Sequence, residues 1–322
     1  MTLVLRALGI GDLATAVPAL RGLRAAAPDR ALVLAAPAWL APLVALTGAV
    51  DRLLPTDGLA PRRWPVPPPD RAVNLHGCGP RSHRLLRAAR PRALYAFACA
   101  AADHHDGPRW REDEHEVHRW CRLLRWYGIG SDPDDLALHR PGPDRVPAGT
   151  PVGATVVHPG GKAAARRWPV TRFAAVARTL AAGGHPVVVT GSAREWPRAA
   201  AVARLAGLPP GAVLAGTTGV DGLAALVAHA RLVVSGDTGA AHLATAYRTP
   251  SVVLFGPVPP SRWGPPPDRP EHRALWHPEQ CLRRPERGEE SRSGGPHPAL
   301  RAVTVAEVLR AAGDALGRVA IT

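Results

Sequence analysis

Residues 232–257 read LVVSGDTGAAHLATAYRTPSVVLFGP, and this stretch decides the fold. Leu232, Val233 and Val234 form a short apolar run of the kind a buried parallel strand needs. Ser235-Gly236-Asp237-Thr238-Gly239 is turn chemistry with a capping residue, and the alanine-rich residues 240–247 follow as a helix. Residues 251–255 return to strand, ending in Phe255-Gly256-Pro257. In a doubly wound sheet, ligands bind outside the carboxyl ends of the strands, where Asp237, Thr238 and Gly239 fall. The first backbone amides of the following helix point into that crevice and favour an anion. The pattern is that of a phosphate site with a carboxylate beside it.

The chain has 322 residues, of which 46% are hydrophobic and 20% charged. That is enough for two domains with sizeable cores, and it excludes a disordered chain. No apolar run approaches the roughly 18 residues of a membrane span, and the opening MTLVLRALGIGD reads as a strand rather than a signal peptide. Cys78, Cys99, Cys121 and Cys281 lie far apart without a C-x-x-C pair, which argues for reduced thiols in a cytoplasmic protein rather than a disulfide framework or zinc site. The net charge is +14, yet Lys162 is the only lysine, so much of the arginine excess is compositional. Residues 1–150 carry 20 basic against 15 acidic side chains, and the remainder 20 against 11. The half with the D-T-G turn is the more basic one, as an anionic ligand favours. No nucleic-acid recognition motif occurs, and aromatics for stacking bases are few, so no nucleic-acid partner is expected.

Strand and helix patterns alternate twice. In the first half, strands are expected at residues 2–7, 31–35, 72–75 and 93–98, with helices at 13–27 and 115–127. Residues 131–151 are rich in Pro, Gly and Asp and read as a linker, which divides the chain into domains 1–149 and 150–322. The second half gives strands at 155–158, 186–190, 212–215, 232–234 and 251–255. Helices are expected at 171–182, 195–206, 220–230 and 303–316. Residues 257–268 read as a rigid loop, and residues 283–298 as a polar, low-complexity, mobile stretch. Two α/β domains with parallel sheets, facing across a cleft, are implied.

Gly9-Ile10-Gly11-Asp12-Leu13-Ala14 matches G-x-G-x-x-A, a dinucleotide fingerprint that is weak on its own. Asp12 would repel a pyrophosphate, and the second strand lacks the acidic residue that would hold a ribose, so the dinucleotide reading loses. Asp12 alone is accounted for as a helix cap. Asn74 and His76 at a strand end, with Arg81 and His83 beyond, face the cleft in this topology. Arg81, Arg84, Arg87 and Arg90 recur at spacings of three, on one side of a helix that is either a solvated basic face or a contact for an acidic acceptor or membrane surface. His104, His105, Asp106, His115 and His118 fit no zinc motif, and no metal is expected there. In the second half, His158-Pro159-Gly160-Gly161-Lys162 follows a strand, and Arg166-Arg167-Trp168-Pro169 precedes a helix. Glycines admit phosphate oxygens, and Lys and Arg supply charge. Glu195 ends the turn Gly191-Ser192-Ala193-Arg194, either as a helix cap or as a ligand contact.

These motifs together resemble glycosyltransferase family 9, the heptosyltransferase family, over nearly the whole chain. Asp237-Thr238-Gly239 with His242 matches its D-T-G-x-x-H turn, and Leu8 to Asp12 with Pro18 and Leu20 its G-x-G-D turn. His158-Pro159-Gly160 with Arg166-Arg167-Trp168-Pro169 matches H-P-G and K-x-W-P, with Arg166 at the lysine position. The resemblance implies a GT-B fold, with a last helix that crosses back to the first domain. It implies an inverting transfer of a sugar, heptose by resemblance, from an ADP-linked donor to a glycan, lipid-linked or small-molecule acceptor, with Asp12 as general base. Gly160, Gly161, Lys162, Arg166, Glu195, Thr217, Asp237, Thr238, Gly239 and His242 would bind the donor. Gly11, Asn74, His76 and Arg81 would line the acceptor side. Either Lys162 or Arg166 is the main phosphate ligand, Glu195 would face the ribose, Thr217 would border the base, and Trp168 would pack. No metal or other cofactor would be needed, and a monomer with peripheral contact to the inner membrane surface is expected. A non-catalytic sugar-nucleotide sensor and a GT-B sugar-nucleotide epimerase are the alternatives.

Overall fold

A computed structural model describes residues 1–281 and 295–317, so most of the stretch 283–298 lies outside the described residues. The chain divides into two compact units, Met1–His139 and Arg140–Thr322. The division falls about ten residues before the expected junction, because residues 140–150 are already tied to the second unit. Arg140 donates to the carbonyls of Ala228 and Tyr247, the latter at 2.8 Å, and His229 Nε2 bonds the Pro141 carbonyl at 2.8 Å.

The first unit runs β1 (Thr2–Leu5), α1 (Ile10–Ala25), β2 (Leu32–Ala36), α2 (Ala41–Ala45), β3 (Arg52–Pro55), β4 (Arg71–Asn74), α3 (Arg81–Arg87), β5 (Ala93–Tyr95) and α4 (Glu116–Trp126). All strands are parallel in the order β3-β2-β1-β4-β5. β1 and β2 are buried at every position, as central parallel strands covered on both faces must be. Leu3, Leu5, Val33, Ala35, Ala72, Leu85 and Leu86 form the core on one face. Sequence patterning missed β3, an edge strand whose RLLP buries Leu54 alone and so shows no run.

The second unit runs β6 (Thr155–His158), α5 (Val170–Ala182), β7 (Val187–Val189), α6 (Trp196–Ala206), α7 (Val220–Ala228), β8 (Leu232–Gly236), α8 (Gly239–Tyr247), β9 (Ser251–Leu254), α9 (Pro260–Trp263), β10 (His272–Leu275), α10 (Pro298–Ala302) and α11 (Val305–Ala315). Its sheet is also parallel, ordered β10-β9-β8-β6-β7. Two expectations need correction. Residues 212–215 form no strand: Pro209 and Pro210 lack amide protons, a 3-10 turn covers Pro210–Ala212, and Val213 makes one isolated bridge to Val189. The fifth strand is β10, at the other edge, and the loop expected at 257–268 contains the short helix α9. The last described helix, α11, packs within the second unit. Val308, Ala311, Ala312 and Ala315 belong to the second core with Phe173, Val202 and Leu254. No described helix is long and apolar enough to cross a membrane.

Candidate functional site

In each unit the chain leaves two adjacent strands toward opposite sides, which opens a crevice at their carboxyl ends. In the first unit these strands are β1 and β4. Asp12 stands in the first turn of α1. Its Oδ2 accepts the Gly9 amide at 3.0 Å, so the capping role is real. Its Oδ1 lies 3.6 Å from Arg6 Nη2, and the side chain remains 28% exposed. A carboxylate held this way keeps free lone pairs with which to accept a proton.

Beneath it lies an assembly that sequence reading missed. Arg6, which directly follows β1, is 1% exposed. Its Nε donates to the Asp12 carbonyl at 2.9 Å, Nη1 to the Leu75 carbonyl, and Nη2 to Glu116 Oε1 at 2.9 Å and Thr15 Oγ1 at 3.3 Å. The guanidinium sits 4.7 Å above the Trp120 ring. Glu116, also buried, accepts Trp120 Nε1 at 3.0 Å and pairs with Arg119. The available signals were an arginine inside the apolar run TLVLRALG and the acid–base periodicity of Glu116, Arg119 and Trp120 on one helix.

The β4 loop completes this half. Burial and the nearby Arg6 guanidinium push the His76 imidazole down to about 4 against the pull of Asp12, so the ring is neutral at pH 7. Its Nδ1 is buried without a partner. Asn74 and His83, expected at the cleft, are both fully buried. Asn74 Nδ2 donates to the Gly77 carbonyl at 3.0 Å and to Ser82 Oγ at 2.9 Å, and its Oδ1 accepts the His76 amide at 3.1 Å. Asn74 therefore shapes the loop that carries His76. His83 Nε2 bonds the Phe97 carbonyl at 2.8 Å. Gly11 lies in the first turn of α1, its carbonyl accepting Thr15 Oγ1 at 3.0 Å, and Arg81 is exposed at the start of α3. Arg84 and Arg87 bond the carbonyls of Ala101 and Asp103, each at 2.6 Å, so the arginine periodicity is partly spent on a turn.

In the second unit the crevice opens between β6 and β8. The turn after β8 delivers Asp237, 11% exposed, with Oδ2 3.4 Å from Arg166 Nη1 and Oδ1 3.7 Å from His242 Nε2. Arg166 thus offsets a carboxylate that would otherwise repel an anion at the α8 N-terminus. Thr238 is the N-cap residue, and its Oγ1 is buried without a partner. The loop after β6 is clamped by Glu195. Oε1 accepts the Gly161 amide at 2.7 Å, while Oε2 accepts Ser192 N at 2.8 Å and Oγ at 2.9 Å. Burial raises the Glu195 pKa, but the amides of Ser192 and Gly161 outweigh it and hold the carboxyl below its ordinary value. Gly160 is required here, since a Cβ would lie 2.4 Å from Glu195 Oε1. Arg167 and Arg198 brace the same loop through the carbonyls of Gly161 and Pro159, at 2.7 and 2.8 Å. Lys162 is exposed, Thr217 Oγ1 turns back to the Leu214 carbonyl at 3.0 Å, and Trp168 is buried, its Nε1 donating to the Val303 carbonyl at 3.0 Å. Among the described residues no group of three or more His, Cys, Asp or Glu is placed to hold a metal ion.

The family model described as glycosyltransferase family 9 (heptosyltransferase) matches residues 98–293. Lipopolysaccharide heptosyltransferase 3 of Escherichia coli is 32% identical over 120 residues, 37% of this chain and 35% of the relative. The chain thus aligns with about a third of the length of the curated relatives it matches. The glycosyl transferase family 9 structure from Veillonella parvula DSM 2008 superposes with a TM-score of 0.76 at 19% identity, covering 98% of this chain and 96% of that one. The E. coli ADP-heptose lps heptosyltransferase II gives 0.73 at 23% identity, with 98% of both chains covered. Those structures share the fold, the pair of Rossmann-like parallel-sheet units of the GT-B class. With the family match spanning more than half of the sequence, the chain belongs to glycosyltransferase family 9.

Proposed function

We propose that this protein is an inverting glycosyltransferase that moves a sugar, heptose by likeness to the relatives named above, from an ADP-linked donor to a hydroxyl of a glycan acceptor. The observation that carries the reading is the Asp237-Thr238-Gly239 turn at the head of α8, its carboxylate matched by Arg166. The second unit holds the diphosphate there, with Arg166, Lys162 and the first amides of α8. The first unit holds the acceptor, with Arg81 and the His76 loop. Asp12 takes the proton of the acceptor hydroxyl as its oxygen forms the bond to the anomeric carbon. The bond from that carbon to the diphosphate breaks on the opposite face, and ADP leaves with the electron pair. Preorganised donors of this kind contribute about 3–4 kcal/mol each when they face developing charge. The basic side chains and helix amides take the place of a divalent metal. A lipid-linked acceptor met at the inner membrane surface fits the lipopolysaccharide relatives.

Asp12→Asn is the decisive variant. Asparagine still accepts the Gly9 amide, so the melting temperature and ADP affinity should stay at wild-type values. It takes no proton, so kcat for transfer from ADP-heptose to a heptose-bearing lipopolysaccharide core oligosaccharide should fall roughly 10²–10⁴-fold. The assay is run with and without a chelator. Wild-type turnover in Asp12→Asn refutes the base assignment, and turnover abolished by chelation and restored by magnesium refutes metal independence.

A further inference from the structure

The charge assembly under Asp12 is larger than proton abstraction needs. A base requires an acceptor at the right place. Here it comes with a buried arginine whose counter-charge, Glu116, lies 110 residues away on another helix. Stability alone explains this poorly, because desolvating a buried ion pair offsets most of its attraction, and an apolar pair would join β1 to α4 as well.

The guanidinium protons instead go to the parts that determine where Asp12 stands. Nε holds the Asp12 carbonyl at 2.9 Å, and Nη2 lies 3.6 Å from its Oδ1. Nη1 holds the Leu75 carbonyl, one residue before His76. The Gly9 amide grips the other carboxylate oxygen at 3.0 Å. One planar group thereby fixes the first turn of α1 against the β4 loop, while Glu116 and the Trp120 face fix the group itself.

We propose that Arg6 is a positioning residue for Asp12, a buried fork that sets the carboxylate and the His76 loop in register, with Glu116 as its charge partner. The proposal rests on the reading of Asp12 as general base. It depends on fork geometry rather than on charge, so lysine is no substitute: one ammonium cannot reach the Asp12 carbonyl, the Leu75 carbonyl and Glu116 together.

The test is a double-mutant cycle of Arg6→Lys and Asp12→Asn, read as ADP release from ADP-heptose with the same core oligosaccharide acceptor. Melting temperature and ADP affinity are measured in parallel. Arg6→Lys should lower kcat about 10–100-fold with donor KM and ADP affinity within twofold of wild type. In the Asp12→Asn background it should cost less than threefold more, because there is no longer a base to position. A merely structural role gives the same fractional loss in both backgrounds. Should Arg6→Lys fold poorly, Arg6→Met removes the fork while Glu116 stays paired with Arg119, and it should reproduce the loss. Wild-type turnover in Asp12→Asn overturns the base reading and this proposal with it. Loss in Asp12→Asn with either full activity in Arg6→Lys or multiplying losses in the double variant overturns the positioning role alone.

Discussion

Gly160→Ala adds a single methyl where the loop after β6 has no room for it. The added methyl would stand 2.4 Å from Glu195 Oε1, 2.6 Å from Cδ and 2.8 Å from Oε2. Restoring van der Waals contact takes roughly an ångström of retreat by the carboxylate. That movement breaks the 2.7 Å bond from the Gly161 amide and loosens those from Ser192 at 2.8 and 2.9 Å. Hydrogen bonds to a charged group contribute about 1.5–3 kcal/mol each, and losing one to two of them costs about 2–5 kcal/mol. The lower entropy of the unfolded alanine chain returns about 0.4–1 kcal/mol. The net loss should be about 2–4 kcal/mol, a fall in Tm of roughly 5–12 °C for a unit of this size. Thermal melting and urea titration measure it. Glu195→Ala removes the obstacle and the clamp together, so adding Gly160→Ala to it should cost little more. A Gly160→Ala protein melting within 2 °C of wild type, or fully additive losses in the pair, refutes the reasoning.

Two further outcomes follow from the same geometry. His272 is 7% exposed, and burial pushes its imidazole down to about 4 although Glu271 pulls upward. Its folded pKa lies below the unfolded value near 6.5. Its share of stability, up to about 3 kcal/mol, is therefore whole above pH 6.5, lost between pH 6.5 and 4, and constant below. Urea melts of wild type and His272→Asn at pH 7, 5.5 and 4.5 should show a shallower decline in the variant, and parallel curves would refute this. Arg166→Ala uncovers the Asp237 carboxylate and should weaken ADP roughly tenfold or more by calorimetry, with a smaller loss for exposed Lys162→Ala. Unchanged affinity in both variants would remove these residues from the anion site.

The legible parts of this protein were those in which chemistry and chain order coincide. The apolar run at 232–234, the D-T-G turn and the alanine-rich helix behind it are written consecutively, and the structure builds them as β8, the turn and α8. Asp12 was legible as a cap because its partner Gly9 is three residues away, and as a base candidate through the family resemblance alone. Edge strands β3 and β10 were not, because only one residue of each is buried. The Arg6–Glu116 pair was invisible for another reason: 110 residues separate the partners, and neither residue type is expected in a core. Asn74 illustrates the limit of topology. Its place at a strand end is as expected, yet its side chain is consumed by Gly77, Ser82 and His76.

Because arginine does nearly all the cationic work, the chain is almost free of primary amines. The N-terminal amine of Met1 is occupied by Asp70 at 2.8 Å, and the one other amine is Lys162, exposed on the loop after β6. Guanidinium groups do not react with acylating reagents at neutral pH, so Lys162 is the one side-chain amine that such a reagent meets. The protein thus carries a ready-made side-chain attachment point for a fluorophore on the loop after β6, with no engineered cysteine.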